Sequence, residues 1–129
     1  MLTLIRDFFK EQYGWTDSIS VGRIDQNADR AVCFYNSRFT APKFTALGGK
    51  QNKGYKTVPV TVLLRWTNSP VKAAEKAQEL YDFFDEKTFV IDNKRVFVIS
   101  RYDSPIDLGS DDKGVCEYSL ELDFYINKE

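Results

Sequence analysis

The chain contains no histidine, and this one absence removes more chemistry than any motif in it supplies. Without an imidazole there is no Ser-His or Cys-His nucleophile, and the commonest general base and commonest zinc ligand are both missing. Cysteine is scarce too. Cys33 and Cys116 are the only two, each inside a strand-like run, with no C-x-x-C pair and no disulfide framework, so both read as reduced core residues. No apolar run approaches the roughly 18 residues that cross a bilayer, and the amino-terminal MLTLIRDFFKEQ brings charge too early for a secretory leader. Nothing here points to export or to a membrane partner.

Acid is also missing from the middle of the chain. Between Arg30 and Lys72 there is neither Asp nor Glu, and that stretch carries a balance of +8 against -2 for residues 1–29 and -7 for residues 73–129, within a net charge of only -1. Segregation of this kind suits an anionic partner, or a neighbouring copy that presents its acidic part to the basic part of the next.

What is present describes a well-packed globule. With 129 residues, 43% hydrophobic and 15% aromatic, the chain can bury one core, and a single domain spanning 1–129 is the expectation. Leu2, Ile5, Phe8 and Phe9 repeat at helical spacing, which predicts an amphipathic helix over 2–13 ending near Gly14. Residues 18–24 and 31–36 are β-branched and aromatic, and the polar QNADR between them reads as a hairpin connection. Residues 37–56 follow neither period and hold Pro42, Gly48, Gly49 and Gly54, so a long basic loop is expected there. Val58 to Trp66 alternate as a strand, with Pro59 marking an edge or a strand start.

Ser69-Pro70 is a helix-start signal, and Val71, Ala74, Ala77, Leu80, Tyr81 and Phe84 supply the apolar positions of a second helix over 70–86. A hairpin is predicted over 88–91 and 95–101, turning at Asp92-Asn93-Lys94. Residues 102–114 read as an irregular loop in which Gly109 and Gly114 take conformations other residues avoid. In the closing strand Cys116, Tyr118, Leu120, Leu122, Phe124 and Ile126 form an apolar face, while Glu117, Ser119, Glu121, Asp123 and Asn127 form a face expected to be wet. The order of elements predicts an α+β fold: a mixed, mainly antiparallel sheet of five or six strands with two helices covering one face.

No motif supports catalysis or a bound cofactor. GGKQNKGYK has the glycines and lysines of a phosphate cradle, yet Gly54 is followed by Tyr55 and a strand instead of Lys-Ser or Lys-Thr and a helix. Asp103, Asp107, Asp111 and Asp112 depart from calcium-loop spacing and lack the bidentate Glu. Aromatic Phe34, Tyr35, Phe39, Phe44 and Tyr55 interleave with Arg38, Lys43, Lys50, Lys53 and Lys56, a composition found in single-strand nucleic-acid platforms. A nucleic-acid-binding module using the basic Gly/Lys loop is therefore the alternative reading.

Residues 45–126 taken as a set resemble the tail terminator, or minor capsid, neck proteins of long-tailed bacteriophages. The features in order are Gly48-Gly49 in a basic loop, the strand VPVTVLLRW, the helix ending ELYDFFDE, a hairpin, then Ser104-Pro105-Ile106, Leu108-Gly109, Asp111, Gly114, Glu117 and Phe124. Val115 and Asp123 stand where that family often has arginine and asparagine. The resemblance implies a structural virion protein with neither enzymatic activity nor cofactor. It implies a homo-oligomeric ring, typically a hexamer, that caps the tail tube and joins it to the head. The implied partners are further copies of the chain, the tail tube protein and a head-tail connector or stopper protein, with only non-specific contact to passing DNA; the implied place is the virion neck, after assembly in the host cytoplasm. A ring closes through head-to-tail contacts between two different patches. The charge segregation nominates Arg38, Lys43, Lys50, Lys53 and Lys56 for one patch and Asp107, Asp111 and Asp112 for the other.

Overall fold

A computed structural model describes residues 1–37 and 55–127. In chain order the elements are α1 (Leu2–Phe9), β1 (Ser18–Val21), β2 (Arg30–Asn36), β3 (Tyr55–Trp66), α2 (Pro70–Phe84), β4 (Lys87–Ile91), β5 (Lys94–Ser100), β6 (Ile106–Ser110) and β7 (Cys116–Asn127). The strands form one sheet in the order β1-β2-β3-β7-β5-β4, with β6 pairing to β7 off this path. All pairings are antiparallel except that of β1 with β2. This is the α+β, mainly antiparallel fold that the pattern predicts, with seven strands among the described residues where five or six were expected. The expected loop at 37–56 lies outside the described residues except for Ser37, Tyr55 and Lys56, and the last two already belong to β3.

Both helices bury apolar stripes on the same sheet face. Ile5 and Phe9 of α1 are fully buried, and the helix runs on through a π-helical turn, Lys10–Gly14, stopping where Gly14 adopts φ 84°. The Ser69 hydroxyl accepts the Lys72 N–H at the start of α2, as its position before Pro70 predicts. The buried stripe of α2 is Ala73, Ala77, Leu80 and Phe84, so Val71 and Ala74, expected on it, lie outside; at 100° per residue they fall away from the line through the other four. The core joins these side chains to Val32, Phe34, Val60, Val62, Leu64, Val96, Val98, Leu120, Leu122, Phe124 and Ile126.

Three expectations are corrected. β1 and β2 pair as foreseen, but in parallel, with Ser18 opposite Ala31 and Val21 opposite Phe34. A hairpin needs a tight turn, whereas the chain from Gly22 to Asp29 is long enough to return along β1 and start again from the same end. That return is pinned by the Gly22 N–H on the Phe34 carbonyl at 2.9 Å and by Asp25 accepting the Asn27 N–H. Within residues 102–114, Ile106–Ser110 is a strand, β6, because β5 leaves the carboxyl-terminal side of β7 at Leu122 and frees residues 116–119 for another partner. The third correction concerns the second face of β7, described below.

Pro59 marks where a ladder ends. Ser37 donates its N–H to the Pro59 carbonyl at 3.1 Å, proline has no N–H to return, and the β2–β3 register stops at Asn36 opposite Val60.

Candidate assembly surface

The face of the sheet turned away from the helices is set by strand alternation: Thr61, Leu63 and Arg65 of β3 lie beside Glu121, Ser119 and Glu117 of β7. Alternation predicts that such a polar face is wet. Instead Thr61, Arg65, Ser119, Glu121 and Asp123 are all buried. The cause is tertiary: Gly22–Asp29 and the β6–β7 hairpin approach Arg65, and Arg101 closes over Asp123.

Each buried charge there has partners. The Arg65 side chain is 3% exposed and bridges Asp111 Oδ2 at 2.8 Å and Glu117 Oε2 at 2.9 Å, and its remaining N–H groups reach the carbonyls of Ala28 and Gln26 at 3.2 Å. Burial alone would pull its pKa down, but hydrogen bonds and charge from Asp111 and Glu117 outweigh that and leave it raised. The Arg65 hydrogen bond, helped by the backbone N–H groups of Val115 and Lys113, holds the Asp111 carboxyl below its ordinary value. Glu121 accepts the Thr61 hydroxyl at 2.7 Å and the Ser37 hydroxyl at 2.9 Å. Arg101 grips Asp123 through two nitrogens at 2.9 to 3.2 Å. Among the described residues no buried side-chain nitrogen or oxygen lacks a partner.

A face closed in this way is structural, and it changes what substitutions in β7 should do. Leu120→Ala is expected to cost about 2 to 5 kcal/mol, the usual loss for a buried leucine. Glu121→Ala, harmless if that face were wet, should instead cost about 1 to 3 kcal/mol, because two buried hydroxyls lose their acceptor. Urea unfolding of both variants checks this; a Glu121 variant as stable as the parent would mean water replaces the carboxylate there.

The nominated interface residues divide into three groups. Arg38, Lys43, Lys50 and Lys53 lie outside the described residues. Lys56 on β3, Asp107 on β6 and Asp112 in the β6–β7 hairpin are exposed. Asp111 is turned inward onto Arg65, and its other oxygen accepts the Lys113 and Val115 N–H groups, so it builds the hairpin more than it faces outward. Asp107 accepts the Gly109 N–H at 2.8 Å and fixes a bulge at which Asp107 faces Tyr118 and Gly109 faces Glu117, leaving Leu108 as the extra residue. Gly109 supplies the φ of 86° the bulge requires. Arg65, noted in the sequence only as the arginine near the end of VPVTVLLRW, was not nominated as an interface residue. Its signal, an arginine on the polar side of a strand, is shared by many solvated arginines.

Other arrangements offer little chemistry. An open cleft of about 660 Å³ is lined by Asp17, Ser18, Asp29, Arg30, Thr67 and Lys113, a mixture of both charges and hydroxyls. Among the described residues no group of three or more Cys, Asp or Glu side chains is placed to hold a metal ion, and no helix is long and apolar enough to cross a membrane. Phe34 is fully buried in the core, so it cannot stack on a nucleobase as the interleaved pattern invites; Phe39 and Phe44 lie outside the described residues. The Arg30 guanidinium and the Lys76 ammonium each lie over the Trp66 ring, at 4.9 and 4.7 Å from its centre.

These features define an α+β scaffold whose buried charges brace its own loops. The family described as bacteriophage tail terminator protein matches residues 10–128, and the chain belongs to that family. It is a structural family of the phage tail. Neither the curated proteins nor the solved structures contain a match to the chain.

Proposed function

We propose that this tail terminator protein is the subunit of a closed ring of six copies that caps the tail tube in the neck of the virion and joins it to the head. The tail tube protein meets one side of the ring and a head-tail connector or stopper protein the other; each subunit is a single domain, assembled in the host cytoplasm. The observation that carries this reading is the family match over residues 10–128. Consistent with it, the +8 stretch and the -7 stretch of one chain suit a head-to-tail contact. Exposed ion pairs contribute only about 0 to 1 kcal/mol each, so charge sets orientation and rate while apolar burial supplies affinity.

Molar mass by light scattering across a salt series tests the reading. A six-copy species is expected, and Lys50→Glu with Lys53→Glu should weaken it at low salt. That loss should fade as the Debye length shortens from about 10 Å at 0.1 M. A chain that stays monomeric under all conditions and binds single-stranded oligonucleotide tightly would replace this reading with that of a nucleic-acid-binding module.

A further inference from the structure

The outer sheet face is closed around Arg65 but open at its other end. There Val90 of β4 and Phe97 and Ile99 of β5 are 67%, 37% and 39% exposed, and half-buried Tyr125 of β7 stands opposite Phe97. Alternation puts these four on one face: Val90 pairs with Arg95, two residues from Phe97, and Ile99 pairs with Asp123, two residues from Tyr125. Exposed Arg95, paired with Val90, borders the patch. The carboxylate beside it, Asp123, is already neutralised by Arg101. The patch is thus apolar at its centre, with one base, Arg95, at its edge.

The opposite character occurs on β6. The bulge at Asp107/Gly109 takes Leu108 out of the ladder, and its side chain is 50% exposed although β6 as a whole is anchored on β7. Bulges at sheet edges re-aim a side chain, and this one is held in place by the Asp107 carboxylate. Exposed Asp107 and Asp112 lie on either side of Leu108 in sequence, so an apolar projection sits between acids. Intramolecular closure is not the use of this pair of surfaces: β5 and β6 occupy successive stretches of the same edge of β7, each fixed there by its own register.

We infer that Leu108 on the β6 bulge of one subunit docks on the Val90, Phe97, Ile99 and Tyr125 patch of the next, with Asp107 and Asp112 beside Arg95. The occupant is a second copy of this chain, because the two surfaces are complementary in both polarity and charge and lie on different parts of one subunit, as a head-to-tail contact requires. The inference rests on the ring reading above and specifies which surfaces make it. Apolar residues at the centre of such a contact carry most of the affinity, and rim charges mainly govern rate and salt dependence.

The test uses the full chain carrying Leu108→Cys together with Ile99→Cys, exposed to a mild thiol oxidant. Cys33 and Cys116 are buried, and the parent chain under the same oxidant supplies the background. A ladder of covalently linked oligomers from the double variant, absent from either single variant, is the expected result. Phe97→Asp should separately weaken self-association about ten-fold or more. Oligomers that form normally but give no ladder, with Phe97→Asp leaving their mass unchanged, would overturn the docking while sparing the ring, and would assign the patch to another tail component. Crosslinking by Leu108→Cys alone would replace the head-to-tail contact with a symmetric one. A parent chain that never associates would overturn the ring reading and this inference together.

Discussion

Arg65→Ala is expected to lower the free energy of unfolding by about 3 to 5 kcal/mol, the cost of removing one partner from a buried ion pair. The guanidinium ties three separate pieces of chain together: Gln26 and Ala28 from the return between β1 and β2, Asp111 from the hairpin before β7, and Glu117 from β7 itself. Its loss strands two carboxylates and two carbonyls. Arg65→Lys should recover only part of the loss, because an ammonium is a point charge without the planar fork that meets several acceptors at once. Replacing the set together, Arg65→Met with Asp111→Asn and Glu117→Gln, should cost less than Arg65→Ala alone, since no unpaired charge is left behind. Urea unfolding measures all three. A loss below about 1 kcal/mol for Arg65→Ala, the range of an exposed pair, would show that water already solvates this site.

The same pair sets part of the acid sensitivity. Arg65 depresses the Asp111 pKa in the folded state, so the stabilisation is present above the ordinary carboxylate value of about 4 and is lost as pH falls through the lower folded value. Unfolding titrations of Asp111→Asn should therefore show a shallower decline on acidification than the parent chain.

The second large effect is expected at Phe9. Its ring lies 5.4 Å from that of Phe34, 5.5 Å from Phe84 and 5.6 Å from Phe83, so one side chain joins α1, α2 and β2. Phe9→Ala should cost about 3 to 5 kcal/mol, from lost burial and from a cavity that three large rings cannot collapse to fill. Phe8, one residue earlier and only partly buried against Phe89, should cost clearly less on the same change. Thermal unfolding of the two variants compares them directly; equal losses would mean that α1 turns a different face to the sheet.

The contrast between Phe9 and Arg65 shows what each level of description supplies. Phe9 was legible in the sequence because helical spacing places it with Leu2 and Ile5, and a stripe of that kind has to be covered. The same local rules place the Ser69-Pro70 helix start, the Asp92-Asn93 turn, where both residues take positive φ, and the alternation of β3 and β7. Each depends on residues a few positions apart, whose spacing along the chain equals their spacing in space.

The candidate surface was legible only in part. Lys56, Asp107 and Asp112 are exposed where charge bookkeeping placed them, but whether an acid faces water or a guanidinium 46 residues away cannot be read from its neighbours, and Asp111 is the case in point. Leu108 stood out only within the family pattern Leu108-Gly109; that its side chain faces outward was not legible, because only the bulge turns it there.

By itself, then, the sequence determined the elements other than β6, the helix-covered core face, the absence of imidazole chemistry and the segregation of charge, all of which follow from local periodicity and composition. The tertiary structure decided the parallel pairing of β1 with β2, the place of β6 beside β7 and the burial of Arg65, Glu121 and Asp123 on a face that alternation marks as wet. Alternation specifies which side of a sheet a residue occupies; only the path of the distant chain specifies what covers that side.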